Sequence, residues 1–415
     1  MTNGKSNPIF IYITTLEFCN IFVSQIIGWL KLFQKEGINF FIYRVSPIKE
    51  IFSKKEKKDT QNIKKEYSRS GKIYFTPERF FLGRILNLIL LLLIVIKHLL
   101  IGKRVIIQIR ATSFWTSLQI LKTYFPKKLI IIYDSRAAAA EELIYSTKNK
   151  MDEKMSKKIR ELAYDEIMMV RIADKVFAVS NALINYHLIK DKSLSREKFL
   201  LYPCCAEASL FKFSEKLRCE IRQQLEIVDK KVIVYSGGLR NPWQIPDKVF
   251  EIISKIIAID PTFFFLVLTP DITIALDLAK KHLLENNSIS INNVPIDKLG
   301  KFLCAADFAI LLRDNVPMNN VASPAKFAEY IMTGLPVILS ENIGDFSTFV
   351  SRHDIGKVIS SDYSIESIQL LTQFLVRKVN EYKQRRKVIA SLGYQNFSKD
   401  VNIEKILSIY YSYIN

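Results

Sequence analysis

NNVASPAKFAEYIMTGLPVILS, residues 319–340, holds in one run a helix, its stop and a strand. Ser323 is a good N-cap and Pro324 a good first helical residue, so the pattern predicts a helix through Lys326, Phe327, Glu329, Tyr330 and Ile331. Gly334 stops it, and Leu335 to Leu339 read as a short buried strand of a parallel sheet. At the helix start, backbone N–H groups lack intrahelical partners and the macrodipole concentrates positive charge, to which Lys326 adds. A phosphate fits that end. Glu329, about one and a half turns further on, can accept two hydroxyl hydrogens of a ribose diol. Without a ligand, the same string is a capped helix with a surface Lys–Glu pair.

Upstream, KVIVYSGGLRNPWQ, 231–244, reads as a strand ending in Gly237 and Gly238, which let backbone approach a ligand. Arg240 just beyond can hold a phosphate in two places. FFFLVLT (263–269), ISINNVP and KLGKFLCAADFAILLR (298–313) continue the strand and helix alternation. Arg313 falls at a strand end, as a loop anchor or a ligand contact. Gly344, Asp345 and Ser347 form the loop after the Val337 strand, where Gly344 can face the same ligand.

The first half repeats the alternation. IFIYITT (9–15) is a strand, a helix runs through Phe22, Ile26, Ile27, Leu30 and Phe33 to Gly37, and INFFIYRV is the next strand. SKKEKKDTQNIKKEYSRSGK (53–72) reads as a solvated connection or an electrostatic dock for anionic lipid. ILNLILLLLIVI (85–96) falls short of the roughly 20 residues that span a bilayer, so a buried helix is expected, with a membrane-dipping helix as the alternative. RVIIQIR (104–110) and KLIIIYD (128–134) deliver Arg110 and Asp134 to strand ends, where open α/β sheets bind ligands. In YDSRAAAAEE, Asp134 or Glu141 can bind acceptor hydroxyls and Arg136 or Arg110 can balance phosphate charge; a strand-end salt bridge is the plainer reading.

The string SPAKFAEYIMTGLPVI resembles the donor-site signature of GT-B glycosyltransferases, particularly bacterial surface-polysaccharide enzymes of the group 1 or family 4 type. YDSRAAAAEE is similar to an element of their first domain, and ADKVFAVSNAL (173–183) to the one that ends its first half. The resemblance implies two Rossmann-like doubly wound domains facing across a cleft. The first would be an acceptor domain, 1–205, which the helix 398–415 crosses back to cover; the second, 206–397, would hold the nucleotide-sugar donor. It implies that Glu329 grips the ribose and that Ser323, Pro324 and Lys326 face the diphosphate, with Gly237, Gly238, Arg240, Arg313 and Gly344 around them. Catalysis would rest on Arg240 and Lys326, which stabilise the departing diphosphate, with Asp134 and Arg136 opposite; Arg110, Asp134, Arg136 and Glu141 would bind acceptor. Many retaining members carry a second glutamate eight positions before the first. Here that position is Val321, and the family's usual lysine near Arg240 is replaced by Trp243 and Gln244. Retention is therefore an expectation from resemblance. A non-catalytic nucleotide-sugar or lipid-phosphate binder, or a GT-B epimerase, would share these features.

The 415 residues and 49% hydrophobic content suit two folded domains. Five cysteines without metal spacing point to a reduced cytoplasmic interior. The net charge of +19 sits almost wholly in residues 1–200, which carry about 35 Lys and Arg against about 18 Asp and Glu. That asymmetry suggests an anionic membrane surface at the inner face of the plasma membrane, or a phosphate-linked acceptor. The aromatic residues do not interleave with the basic ones on a nucleic-acid module, so no nucleic acid is expected. The expected partners are a nucleotide sugar as co-substrate and a lipid-linked or saccharide acceptor, with no cofactor and no metal.

Overall fold

The computed structural model describes residues 8–47, 50, 52–75, 81–147, 151–285, 287–360 and 363–414. They form two compact units, one from residues up to Tyr202 together with those from Ile403 onward, the other Pro203–Asn402.

The strands of the first unit are β1 (Ile9–Thr14), β2 (Phe40–Pro47), β3 (Ser70–Phe75), β4 (Val105–Arg110), β5 (Leu129–Ser135), β6 (Lys175–Ala178) and β7 (Phe199–Leu201). All pair in parallel, in the order β3-β2-β1-β4-β5-β6-β7. Val105, Ile106, Ile107 and Ile109 of β4 are all buried, which is why that strand reads as an unbroken apolar run. Burying each such side chain stabilises the unit by about 1.5–3 kcal/mol. The order reverses between β1 and β4, whose last residues Thr14 and Arg110 are paired. A ligand-binding crevice of a doubly wound sheet opens at such a reversal. In the terminal helix Lys399–Ile414, Tyr410 packs edge-on against Phe10, Phe33 and Phe40, and its hydroxyl donates to Gln108.

The structure corrects several local expectations. The stretch 53–72 is not a solvated connection: Lys54–Glu66 is a helix whose Glu56 and Asp59 point inward, and β3 follows. Arg44 of β2 meets Glu56 at 2.6 Å and Asp59 at 3.7 Å, all three buried, so this lysine-rich helix is fastened by its acids. The run 85–96 lies in the helix Phe81–Leu100, which is buried along one face only. The helix after β1 includes a π segment, Val23–Ile27.

The second unit contains β8 (Lys231–Ser236), β9 (Phe263–Leu268), β10 (Ile289–Asn292), β11 (Phe308–Leu311), β12 (Val337–Ser340) and β13 (Gly356–Ile359). They form a parallel sheet ordered β10-β9-β8-β11-β12-β13, which reverses between β8 and β11. The helix Ile365–Phe397 lies against the helix Ala325–Met332 so closely that a Cβ on Gly393 would sit 2.7 Å from the backbone of Ile331. Three buried arginines fasten the region behind the sheet. Arg218 pairs with Asp307 at 2.5 Å and Arg222 with the same carboxylate at 3.3 Å. Arg386 donates to the carbonyls of Ala306 (2.5 Å) and Thr333 (2.9 Å). Where the chain enters and leaves this unit, Ala206 and Lys399 exchange backbone hydrogen bonds with Phe397 and Ala206.

Candidate active site

The helix Ala325–Met332 starts one residue later than the sequence suggests. Pro324, at φ −60° and ψ 123°, is its N-cap, and no side chain caps it. Ser323 is therefore not the cap; its Oγ is buried and accepts the Cys204 N–H at 3.3 Å. The first-turn N–H groups are left without a side-chain acceptor, as an anion site requires.

Several groups converge on this helix end. Lys326 is partly buried, and its Nζ donates to Tyr235 Oη at 3.1 Å and to Gln244 Oε1 at 3.0 Å. It also lies over the Tyr235 ring, 4.2 Å from the centroid. Burial is the main cause that lowers its pKa from 10.5 to about 7; the charge of Arg313 adds to the effect and Glu329 opposes it. Gly237 sits directly beside this ammonium at φ +112°, where an added Cβ would lie 3.1 Å from Lys326 Nζ. Both the backbone conformation and the space favour glycine there. Gln244, which stands near the family's usual lysine position, thus receives an ammonium from another element.

Around this core, Asp271 arranges the loop after β8. Its carboxylate accepts from the Leu239 N–H at 2.8 Å and from Arg240 Nε at 2.6 Å, and Gly238 lies against it. Burial raises the pKa of Asp271, but hydrogen bonds from Arg240 and the Leu239 backbone outweigh it and hold the carboxyl below its usual range. Arg240 itself is 78% exposed, free to turn toward a ligand from a surface pair that contributes little to stability. Tyr330 ties the helix to β8, its Oη accepting from Ser236 N (2.9 Å) and Oγ (3.1 Å). Glu329 is partly buried; desolvation raises its pKa to about 7 against the pull of Lys326 and Lys399.

Arg313 is an anchor. Its Nη1 donates to Asn319 Oδ1 at 3.1 Å, its N–H to Ser340 Oγ at 2.6 Å, and its carbonyl accepts from Tyr363 Oη at 2.9 Å. Gly344 closes the far side at φ +48°; an added Cβ would fall 2.0 Å from the Ala322 carbonyl oxygen. Val321 is buried and its side chain carries no polar atom. A pocket of ≈ 500 Å³ lies next to these groups, lined by Ile245, Pro246, Lys248, Asp314 and Tyr363 among others. Its Ile245 and Asp314 directly follow Gln244 and Arg313.

In the first unit, the predicted residues gather at the ends of β4 and β5. Asp134 is buried and has both oxygens engaged, Oδ2 by Tyr12 Oη at 2.5 Å and Oδ1 by Arg136 Nε at 2.6 Å. It orients Arg136, whose guanidinium stacks 4.1 Å from the centroid of Tyr202. Arg110 Nη1 is buried with no hydrogen-bond partner among the described residues. Glu141 accepts from Tyr186 Oη at 3.2 Å and lies 3.6 Å from Lys190 Nζ. Nearby, Glu166 is buried; desolvation raises its pKa to about 7 even though it accepts the Ala139 N–H at 3.3 Å. Sequence reading missed Tyr12, Glu166, Tyr235 and Asp271; Tyr235 stands within the quoted 231–244 stretch, but nothing local shows that its ring would meet Lys326. Among the described residues, no three His, Cys, Asp or Glu side chains gather as a metal site.

The overall fold has counterparts among known structures. HepE of Anabaena, whose crystal structure contains UDP, matches 97% of this chain and 100% of its own at 11% identity, with a TM-score of 0.69. A glycosyltransferase of Rickettsia africae matches 99% and 100% at 15% identity, TM-score 0.69. WaaG, a glycosyltransferase involved in lipopolysaccharide biosynthesis, matches 97% and 99% at 13% identity, TM-score 0.61. The fold is GT-B. No protein-family model matches the sequence, and no curated protein matches it either.

Proposed function

We propose that this GT-B chain is a glycosyltransferase that moves a sugar from a nucleotide sugar to a membrane-linked or oligosaccharide acceptor in surface-polysaccharide biosynthesis, with retention and without a metal. The observation that carries the reading is the uncapped start of the helix Ala325–Met332, with Lys326 Nζ beside Gly237. Breaking the sugar–phosphate bond builds charge on the departing diphosphate, and catalysis comes from groups that meet this charge in the transition state. Lys326, Arg240 and the helix N–H groups supply positive charge there, which is the support for a metal-free reaction. Glu329 takes the ribose diol. On the acceptor side, Arg110, with its unpartnered buried nitrogen, fits a phosphate, and Arg136 is held ready by Asp134. Retention rests on the resemblance of the 323–338 string.

The HepE structures hold UDP and UDP-glucose, so uridine nucleotides head the panel to test. At 100 times its Kd, a nucleoside diphosphate should stabilise the protein by about 2.7 kcal/mol, visible as a rise in melting temperature. No rise with any base would remove the donor assignment. Sugar release that requires an acceptor separates a transferase from an epimerase, which works without one.

Glu329→Ala and Arg240→Ala should each abolish measurable transfer while leaving the melting temperature within a few degrees of wild type. Full activity in either variant refutes the role given to that residue.

A further inference from the structure

A lysine ammonium carries three N–H donors. Lys326 gives one to Tyr235 Oη at 3.1 Å and one to Gln244 Oε1 at 3.0 Å, and among the described residues no third acceptor meets Nζ. The Tyr235 ring supports the nitrogen at 4.2 Å from its centroid, and Gly237 faces it from the loop after β8, where an added Cβ would fall 3.1 Å from Nζ. With two of its hydrogens fixed, the direction of the third is fixed as well, which the flexible four-carbon stem alone would not achieve.

The chain spends strain to bring the second acceptor there. Gln244 ends the short 3₁₀ turn Pro242–Gln244, and the next residue, Ile245, sits at φ 38° and ψ 51°, in the left-handed region. A β-branched residue is an outlier in that region, and the proline that follows restricts it further. Strain of this kind persists where the surrounding structure fixes it, and it collects at functional sites. Here it turns the chain from Gln244 straight into the helix Pro246–Ile259, whose Val249, Phe250 and Ile253 are buried in the core. Gln244 is thereby left facing Lys326.

Both acceptors are neutral. Burial raises the pKa of the Tyr235 phenol, so it stays protonated, and an amide carries no charge. They orient the ammonium without cancelling its charge, as a carboxylate would. The charged groups acting on Lys326 are Arg313, just past the end of β11, which opposes protonation, and Glu329, on the next turn of the same helix, which favours it.

We propose that Gln244 and Tyr235 are positioning residues, holding Lys326 so that its remaining N–H serves a phosphate oxygen of the nucleotide-sugar donor. This rests on the donor reading above, which places a diphosphate at the start of the helix Ala325–Met332.

The test is calorimetric binding of UDP, GDP, ADP and dTDP to the full chain between pH 6 and 9.5, in buffers of different ionisation enthalpy. On binding at pH 8, wild type should take up most of a proton. Gln244→Glu sets a carboxylate against the ammonium and favours its charged form by about one to three pH units, so this variant should take up almost none at pH 8, and its Kd should begin to rise only at correspondingly higher pH. Gln244→Leu and Tyr235→Phe each remove an acceptor and should move the rise in Kd to lower pH, Tyr235→Phe by less because its ring still faces the cation. Gln244 is only partly buried and Tyr235→Phe keeps the buried ring, so all three variants should fold. Residues that merely supported the fold would shift the melting temperature and leave the pH profiles where they are. Wild-type proton uptake and an unmoved Kd profile in Gln244→Glu overturn the inference alone. Failure of wild type to bind any of the four diphosphates overturns the donor reading and this inference together.

Discussion

Lys326→Ala should lower turnover by about 10²–10³-fold, the usual cost of losing one donor aimed at developing negative charge. Folding should not suffer. The partly buried ammonium has a pKa near 7, so between about 7 and 10.5 the folded state binds fewer protons than the unfolded chain. Its charge therefore destabilises the fold fully below pH 7, and the penalty is relieved as pH rises through that window. Alanine removes it, so the variant's melting temperature at pH 6 should equal or exceed wild type. The same shift gives donor affinity a pH dependence. A diphosphate favours the protonated lysine, so binding takes up a proton above pH 7, and Kd should rise by up to about tenfold per pH unit between 7 and 9. Calorimetry in buffers of different ionisation enthalpy reads that proton directly. A flat Kd over this range in wild type would show that Lys326 does not meet the phosphate. Glu329, also near pH 7, shifts in the opposite sense. Between its usual 4.5 and 7 the folded state holds the extra proton, so stability falls as pH rises through that interval and Glu329→Gln should flatten the fall.

Arg386→Ala should be the most damaging single change to the fold of the second unit, costing about 1–3 kcal/mol for each of the two hydrogen bonds to buried carbonyls that it removes. Its guanidinium, 2% exposed and with its pKa lowered to about 10 by burial, joins the Ala306 and Thr333 carbonyls and stacks 4.6 Å from the centroid of Phe213. Thr333 is the C-cap of the helix that carries Lys326 and Glu329. The Gly334 turn packs against Arg386 as well, since a Cβ there would fall 2.4 Å from the Arg386 carbonyl oxygen. A urea titration should show the lost stability, and nucleotide affinity should fall with it because both ends of a short helix must be held. Arg386→Lys keeps the charge without the two-pronged geometry and should recover only part of the stability. An unchanged urea midpoint in Arg386→Ala would show that the network is ornamental.

Much of this architecture is legible in the chain. Strands buried on both faces, such as Val105–Arg110 and Phe263–Leu268, write their burial as continuous apolar runs. Glycine at positions 237, 334 and 344 reports backbone with positive φ, and Ser180 caps its helix as the sequence suggests, accepting the Leu183 N–H at 2.9 Å. What escapes sequence reading depends on distant partners. The lysine-rich helix looks like a solvated connection because nothing local shows that Glu56 and Asp59 turn inward to Arg44. The leucine-rich helix looks buried because composition does not tell which face is covered. Ser323 has the right side chain for a cap but spends it on Cys204, a partner 119 residues away. The meeting of Lys326 with Gln244 and Tyr235 joins elements more than eighty residues apart, which no local pattern encodes.

Gly344 has a practical bearing on attempts to re-engineer this part of the second unit. Its amide donates to the Asn319 carbonyl at 3.2 Å, and its missing side chain leaves room for the Ala322 carbonyl. The turn at 342–345 and the approach at 319–322 are therefore moulded to one another. Grafting either loop alone from another GT-B protein would leave a mismatched seam, so a chimera that keeps its fold should need both segments from the same parent.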